Sequence, residues 1–272
     1  MGGPVLDRRS LLLAAAALPL AACATGRASK AAELRVATFN IWHDAGNWAA
    51  RLPLIVEALR ETDADVIALQ EVLEDADKGL PNQAETIASM LGGYSVRFVA
   101  ADPVGARRRY GNALLSRLPI IGEASRKLEP LDDYRTAVRV RVSAHGRPVD
   151  LVATHLAWQP EAAAVRARQV ADLMSWLPQD GVPLIVLGDF NAPLADPGLA
   201  ALTSPRFLSA LPQGATPSTL NPAKGHQERV IDHIFVEARW FAAADSRRIG
   251  DRPVGGEYPS DHFGVAATLI LN

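Results

Sequence analysis

Apolar runs that fail to alternate mark the interior of this 272-residue chain. "VIAL" (66–69) and "PLIVL" (183–187) are apolar at successive positions, the pattern of strands buried on both faces. "TAVRVRVS" (136–143) alternates apolar with polar residues and predicts a strand with one wet face. Strands are expected over 34–41, 65–72, 94–100, 112–116, 136–143, 149–156, 183–190, 231–237 and 264–271. Helical spacing falls at 48–61, 82–91 and 160–177, the last opening on Pro160 and Glu161. Short turns such as "AHGRP" (144–148) join strand pairs. Strands dominate and helices recur between some of them. The pattern predicts an α/β fold with mixed, largely antiparallel sheets, in one domain over residues 33–272.

The N-terminus departs from this pattern. Arg8 and Arg9 precede an apolar run from Leu11 to Ala22, which ends at Cys23. The run is shorter than the roughly 20 residues a membrane-spanning helix needs. It reads as an export signal over residues 1–22 with a twin-arginine-like pair, and "LAAC" (20–23) resembles a lipoprotein box. On that reading Cys23 is lipidated, residues 23–32 form a tether, and the protein is an exported, membrane-anchored lipoprotein of a bacterial envelope. An ordinary cleaved signal with a nearby cysteine is the competing reading. Cys23 is the only cysteine, so the domain has no internal disulfide and is held by its core. The formal net charge is −2, and loss of a signal carrying Asp7, Arg8 and Arg9 takes it one unit further negative. A protein that holds nucleic acid by charge alone carries a basic excess, which is missing here. A monomer is expected.

Polar residues recur where apolar strands stop. Asn40 closes "LRVATFN", Glu71 closes "VIALQE", His155 closes "VDLVATH", and Asp189 with Asn191 close "PLIVLGDFN". Asp232 opens "IDHIF", and Asp261 with His262 sits just before the last strand. Any one of these could be a turn former capping local backbone. Together they make a set suited to phosphate ester hydrolysis. A hard cation such as Mg²⁺ or Mn²⁺ prefers carboxylates and water, which Glu71 and Asp261 would supply. Asp189 would orient or deprotonate the attacking water, with Asn40 and Asn191 as uncharged donors. His262 paired with Asp232 would donate to developing negative charge, with His155 a second donor. There is no G-x-S-x-G elbow, H-E-x-x-H helix or G-x-x-x-x-G-K loop to support another chemistry.

In order, "FNIW", "LQE", "YGNALLS", "THL", "GDFN", "IDHIF" and "SDH" resemble the endonuclease/exonuclease/phosphatase superfamily over residues 34–270. The resemblance implies a four-layer αββα sandwich of two packed mixed sheets flanked by helices. It also implies metal binding by Glu71 with Asn40 and Asp261. Catalysis falls to Asp189, Asn191, His262, Asp232 and His155, and substrate contacts to Asn40, Tyr110, Arg109 and Asn112. "ARRRY" (106–110) reads as a loop, either clamping substrate phosphates or solvated. Arg166 and Arg168 read as solvated positions on a surface helix. Trp158 would wall the pocket or pack locally, and Trp240–Phe241 reads as core. Trp42 stands where some abasic-site enzymes carry aspartate, and Leu187 where inositol-phosphate phosphatases carry tryptophan, which argues against phosphoinositides. The expected activity is metal-dependent hydrolysis of a phosphodiester, as in a nuclease. A sphingomyelinase-like lipid phosphodiesterase and a catalytically idle lipoprotein binding a phosphorylated ligand are the alternatives.

Overall fold

The computed structural model describes residues 1–3, 32–203 and 205–272. Residues 4–22 of the expected export signal, Cys23 and the tether as far as residue 31 lie outside the described residues. In chain order the elements are β1 (Ala32–Asn40), α1 (Trp48–Arg60), β2 (Val66–Asp75), α2 (Gln83–Leu91), β3 (Ser95–Ala100), β4 (Arg108–Ser116), β5 (Ile120–Lys127) and β6 (Thr136–Ala144). They continue with β7 (Arg147–His155), α3 (Ala163–Trp176), β8 (Leu184–Asp189), β9 (Phe207–Ser209), β10 (Asp232–Glu237), β11 (Phe241–Ile249) and β12 (Gly264–Leu271). Among the described residues no helix is long and apolar enough to cross a membrane.

The strands form two six-stranded sheets, ordered β11-β12-β1-β2-β4-β3 and β5-β6-β7-β8-β10-β9. Each sheet has one parallel pair at its centre, and a helix makes the crossover in each case. α1 joins β1 to β2, and α3 joins β7 to β8. The remaining pairs are antiparallel. The unbroken apolar runs expected to be doubly buried are those central strands: β8 is buried at every residue. Their inner faces meet between the sheets through Val36, Val66, Leu151, Ile185 and Leu187. Ile55, Leu59 and Ile87 of α1 and α2 cover Phe39 and Ile67 on the outside of the first sheet. Val170 and Leu173 of α3 cover Val152 and Val186 on the outside of the second. The result is the four-layer αββα sandwich.

Several expectations need correction. "ARRRY" is not a loop throughout: Arg108–Tyr110 begin β4 and pair with Leu73–Asp75 of β2. Arg166 is buried rather than solvated, because its guanidinium serves backbone carbonyls (below). β5, β9 and β11 carry no strong apolar pattern. β5 alternates half-buried with exposed residues at a sheet edge, β9 is three residues long, and most of β11 is exposed. Phe241 is core, as expected, with Trp240 packed against it.

Candidate active site

The parallel pairs decide where the polar strand ends meet. Parallel neighbours finish side by side, so Asn40 of β1 lies opposite Gln70 of β2, one residue before Glu71. In the second sheet His155 lies opposite Asp189, and Asp189 lies opposite Asp232 at the start of antiparallel β10. Three adjacent strands thus deliver His155, Asp189 and Asp232 in one row. Asn40 joins the sheets across this edge: its Nδ2 donates to Asp189 Oδ2 at 3.0 Å and to Glu71 Oε1 at 3.1 Å.

Local sequence makes these positions possible. Gly188 adopts φ +150°, and a Cβ there would collide with the Thr154 carbonyl oxygen on β7. Only glycine lets β8 press against β7 immediately before Asp189. Asn191 turns the chain at φ +50°, with its N–H donating to Asp189 Oδ1 at 2.9 Å. Glu71 sits at φ +59° in a bulge where the β2–β4 register slips between Leu69 and Val72. Trp42 and His43 also have positive φ. Non-glycine residues in this region cost about 1–3 kcal/mol each, strain that gathers where function fixes geometry.

The charges at the edge are coupled. His262 Nδ1 and Asp232 Oδ2 are 3.0 Å apart, so Nδ1–H donates a hydrogen bond to the carboxylate. Nε2 then points toward Asp189 Oδ2 at 3.8 Å, too far for a hydrogen bond. Burial disfavours the imidazolium, but Asp232 and Asp189 outweigh it and hold His262 well above the ordinary histidine range. Burial, followed by the charge of Asp232, pushes Asp189 up to about 7. Burial, aided by Arg135 and His262, drives His155 well below its ordinary value. His155 is therefore neutral. Asn191 Nδ2 donates to the Leu156 carbonyl and to His155 Nε2, both at 3.0 Å, which makes His155 Nε2 an acceptor rather than the expected donor.

The other expected residues are placed as follows. Tyr110 is raised by burial, followed by the charge of the nearby Glu71 carboxylate. Asn112 is buried and donates to the Thr136 carbonyl at 2.9 Å, leaving its Oδ1 without a partner. Arg109 pairs with Glu74 at 2.8 Å and lies over the Phe98 ring. Asp261 accepts from His226 at 3.0 Å and is held low: burial opposes ionisation, but His226 and His262 prevail. Asp189, Asp232 and His262 place one ligand atom each within 4.8 Å of one another, a group that could hold a metal. Glu71 reaches that group through Asn40.

Sequence reading missed the residues that hold this edge in place. Arg51 of α1 is fully buried and fans onto the carbonyls of Ile41 (2.8 Å), Trp42 (3.1 Å), His43 (2.8 Å), Ala45 (3.0 Å) and Pro259 (2.9 Å). It pins the turn after Asn40 to the segment before Asp261 and His262. Ser260 adds a second tie, donating to the Asn40 carbonyl at 2.7 Å. Arg135 acts on both His155 and Tyr110, and its buried Nε has no hydrogen-bond partner.

Residues 37–262 match the Endonuclease/Exonuclease/phosphatase family. No curated protein sequence matches. Among solved structures, the human Nocturnin catalytic domain with bound sulfate is 21% identical, with 89% of this chain and 96% of that one covered and a TM-score of 0.72. TDP2 of D. rerio complexed with single-strand DNA product is 18% identical over 87% and 98%, with a TM-score of 0.71. A mannosyl-6-phosphatase of Bacteroides thetaiotaomicron is 21% identical over 87% and 99%, with a TM-score of 0.68. These three share the fold. With the family matched from β1 to the segment before β12 and every polar strand end within that span, the chain belongs to the endonuclease/exonuclease/phosphatase family and is a hydrolase of phosphoester bonds.

Proposed function

We propose that the protein is a divalent-metal-dependent phosphodiesterase, with nuclease-like substrates first among those to try. The observation that carries this reading is the in-register row of His155, Asp189 and Asp232, with His262 clasped by Asp232 and Asn40 bridging Asp189 to Glu71. Asp189, with its pKa near 7, is suited to take a proton from water at neutral pH. Asn40 and Asn191 fix its two oxygens, one each. His262 is charged and presents Nε2–H where negative charge grows on the phosphoryl oxygens.

The metal fits Glu71 better than the Asp189–Asp232–His262 group. His262 is held charged there by Asp232 and Asp189, and an imidazolium repels a cation instead of ligating it. Glu71 offers a hard carboxylate beside the carboxamide of Asn40, with its second oxygen 4.0 Å from His43 Nε2. Glu71 and Asn40 would hold Mg²⁺ or Mn²⁺, which when bound neutralises phosphoryl charge.

Hydrolysis of bis-p-nitrophenyl phosphate by residues 24–272, with Mg²⁺ or Mn²⁺ and then EDTA, tests the reading. Metal-dependent turnover lost in Asp189→Ala and His262→Ala is the expected result. Near-full activity in either variant with an unchanged melting curve would refute the assigned roles. A second reading, lipid phosphodiester hydrolysis, is favoured by an apolar pocket of about 200 Å³ lined by Pro193, Leu194, Leu211 and Val230. Pro193 lies two residues beyond Asn191, and Val230 two before Asp232. Sphingomyelin in mixed micelles is its substrate test. Export and anchoring through Cys23 rest on residues 8–23 alone. Cys23→Ala should release the protein from the membrane fraction, and retention there would end that proposal.

A further inference from the structure

Tyr134 and Trp158 are each 63% exposed, yet the backbone carrying them is firmly held. Gln169 of α3 is fully buried. Its Oε1 accepts from the Ala157 N–H at 2.9 Å, and its Nε2 donates to Asp133 Oδ2 at 2.6 Å. One carboxamide therefore ties the residue before Trp158 to the residue before Tyr134. Arg166, nearly one turn earlier on α3 and also buried, donates Nη1 to the carbonyls of Ala157 (3.1 Å) and Gln159 (3.0 Å), on either side of Trp158. Tyr134 holds φ +56°, and the Lys127 ammonium lies 4.9 Å from its ring centroid. Two buried polar side chains are spent on mounting two rings that the core does not use.

The mounts adjoin the catalytic edge. Trp158 follows His155 by three residues. Tyr134 immediately precedes Arg135, whose charge acts on His155 and Tyr110. The start of β6 and the end of β7 are antiparallel neighbours, so the residues just before Thr136 and just after His155 leave the sheet at the same edge. Rigid aromatic side chains with few rotatable bonds give contact area at low entropic cost. Acidic Glu129, Asp132, Asp133 and Glu161 stand among basic Lys127, Arg135 and Arg168, which leaves no basic excess to draw an anionic bilayer or a long polyanion.

We propose that Tyr134 and Trp158 form a stacking rim that receives the planar substituent, a nucleobase or similar ring, of a small phosphate ester and so selects the substrate. The proposal rests on the phosphoesterase reading for its kinetics, while its binding arm stands apart. Thymidine 5′-(p-nitrophenyl phosphate) and methyl p-nitrophenyl phosphate share a leaving group and differ in the base. The ratio of their kcat/KM values should fall about tenfold, mainly through KM, in Trp158→Ala and Tyr134→Ala, a size in keeping with loss of base stacking. Trp158→Phe should restore it. Calorimetric binding of thymidine 5′-monophosphate in EDTA should weaken by a similar factor in Trp158→Ala. If the parent hydrolyses neither ester but this nucleotide binding still depends on Trp158, the phosphoesterase reading fails and the rim stands. An unchanged ester ratio with unchanged nucleotide binding overturns the rim. So does a Trp158→Ala effect confined to binding of phosphatidylcholine vesicles, which would mark an interfacial anchor instead.

Discussion

Arg51 is the residue whose loss should reveal how the catalytic edge is held. Its guanidinium makes five hydrogen bonds to carbonyls, four in the turn Ile41–Ala45 and one at Pro259, and stacks near Trp42 and Trp48 at 5.1 and 5.5 Å. Hydrogen bonds to a charged group contribute about 1.5–3 kcal/mol each, but burying the guanidinium costs several kcal/mol in return. Leaving a buried acceptor unsatisfied costs about 1–3 kcal/mol, and five carbonyls lose this donor together, with water or rearrangement recovering part of the loss. Arg51→Met should therefore destabilise the domain by about 4 kcal/mol. For a domain of this length each kcal/mol shifts Tm by about 2–4 °C, so a fall of about 8–16 °C follows. Arg51→Lys keeps the charge but cannot span the turn and Pro259 together, and should lose about half as much. Differential scanning calorimetry reads the stability. The kcat/KM for bis-p-nitrophenyl phosphate, taken well below the new Tm, reads the geometry. Arg51 tethers the turn beyond Asn40 and the segment before His262, so activity should fall at least tenfold even where the protein is fully folded. A Tm within about 3 °C of the parent, less than 1 kcal/mol needs at most, with unchanged kcat/KM would refute the clamp.

Other consequences are as direct. Asp232→Asn removes the carboxylate that raises both Asp189 and His262, so both limbs of the pH–kcat/KM profile should move to lower pH; limbs that stay in place would deny the coupling. Gly188→Ala should cost about 2–4 kcal/mol by forcing β8 off the Thr154 carbonyl, read as a fall in denaturant midpoint at constant slope. Asp172 is held below its ordinary value by its hydrogen bond from Arg126. A depressed folded pKa stabilises above the unfolded value and is lost as pH falls through the folded one. Asp172→Asn should thus be less stable than the parent at pH 7, with the gap closing as pH drops below about 3.9. A constant gap across that range would show that the charge is irrelevant.

The legible parts of this protein were those where burial and chemistry reinforce one another along the chain. "PLIVL" and "VIAL" read as doubly buried strands because a central strand between a helix layer and a second sheet has no polar face to offer. Asn40, Glu71, His155, Asp189 and Asp232 stood out because all five bound such runs and together make one chemical set, although any one alone could have been a turn former. Edge strands gave no such signal. β5 packs one side only and β11 is mostly solvated, so neither needs a continuous apolar sequence. The handedness of the site was also hidden. A largely antiparallel expectation brings strand ends beside strand starts, whereas the parallel pairs place Asn40 near Glu71 and His155 beside Asp189, end against end.

The buried polar residues of the helices were the hardest to read, and they decide the most. Arg51, Arg166 and Gln169 occupy helical positions where a long polar side chain ordinarily reaches water. Each instead turns inward to carbonyls or amides of a loop leaving a strand end. Periodicity reports which face of a helix is apolar. It cannot report that a guanidinium on the buried face is satisfied by five backbone oxygens belonging to segments 41–45 and 259. Those oxygens lie in irregular turns that carry the strained residues Trp42 and His43, which no sheet or helix ladder can hold. The helices of both outer layers thus do more than cover the sheets: α1 fixes the turn after Asn40 and α3 fixes the loops that carry Tyr134 and Trp158, with the polar strand ends between them.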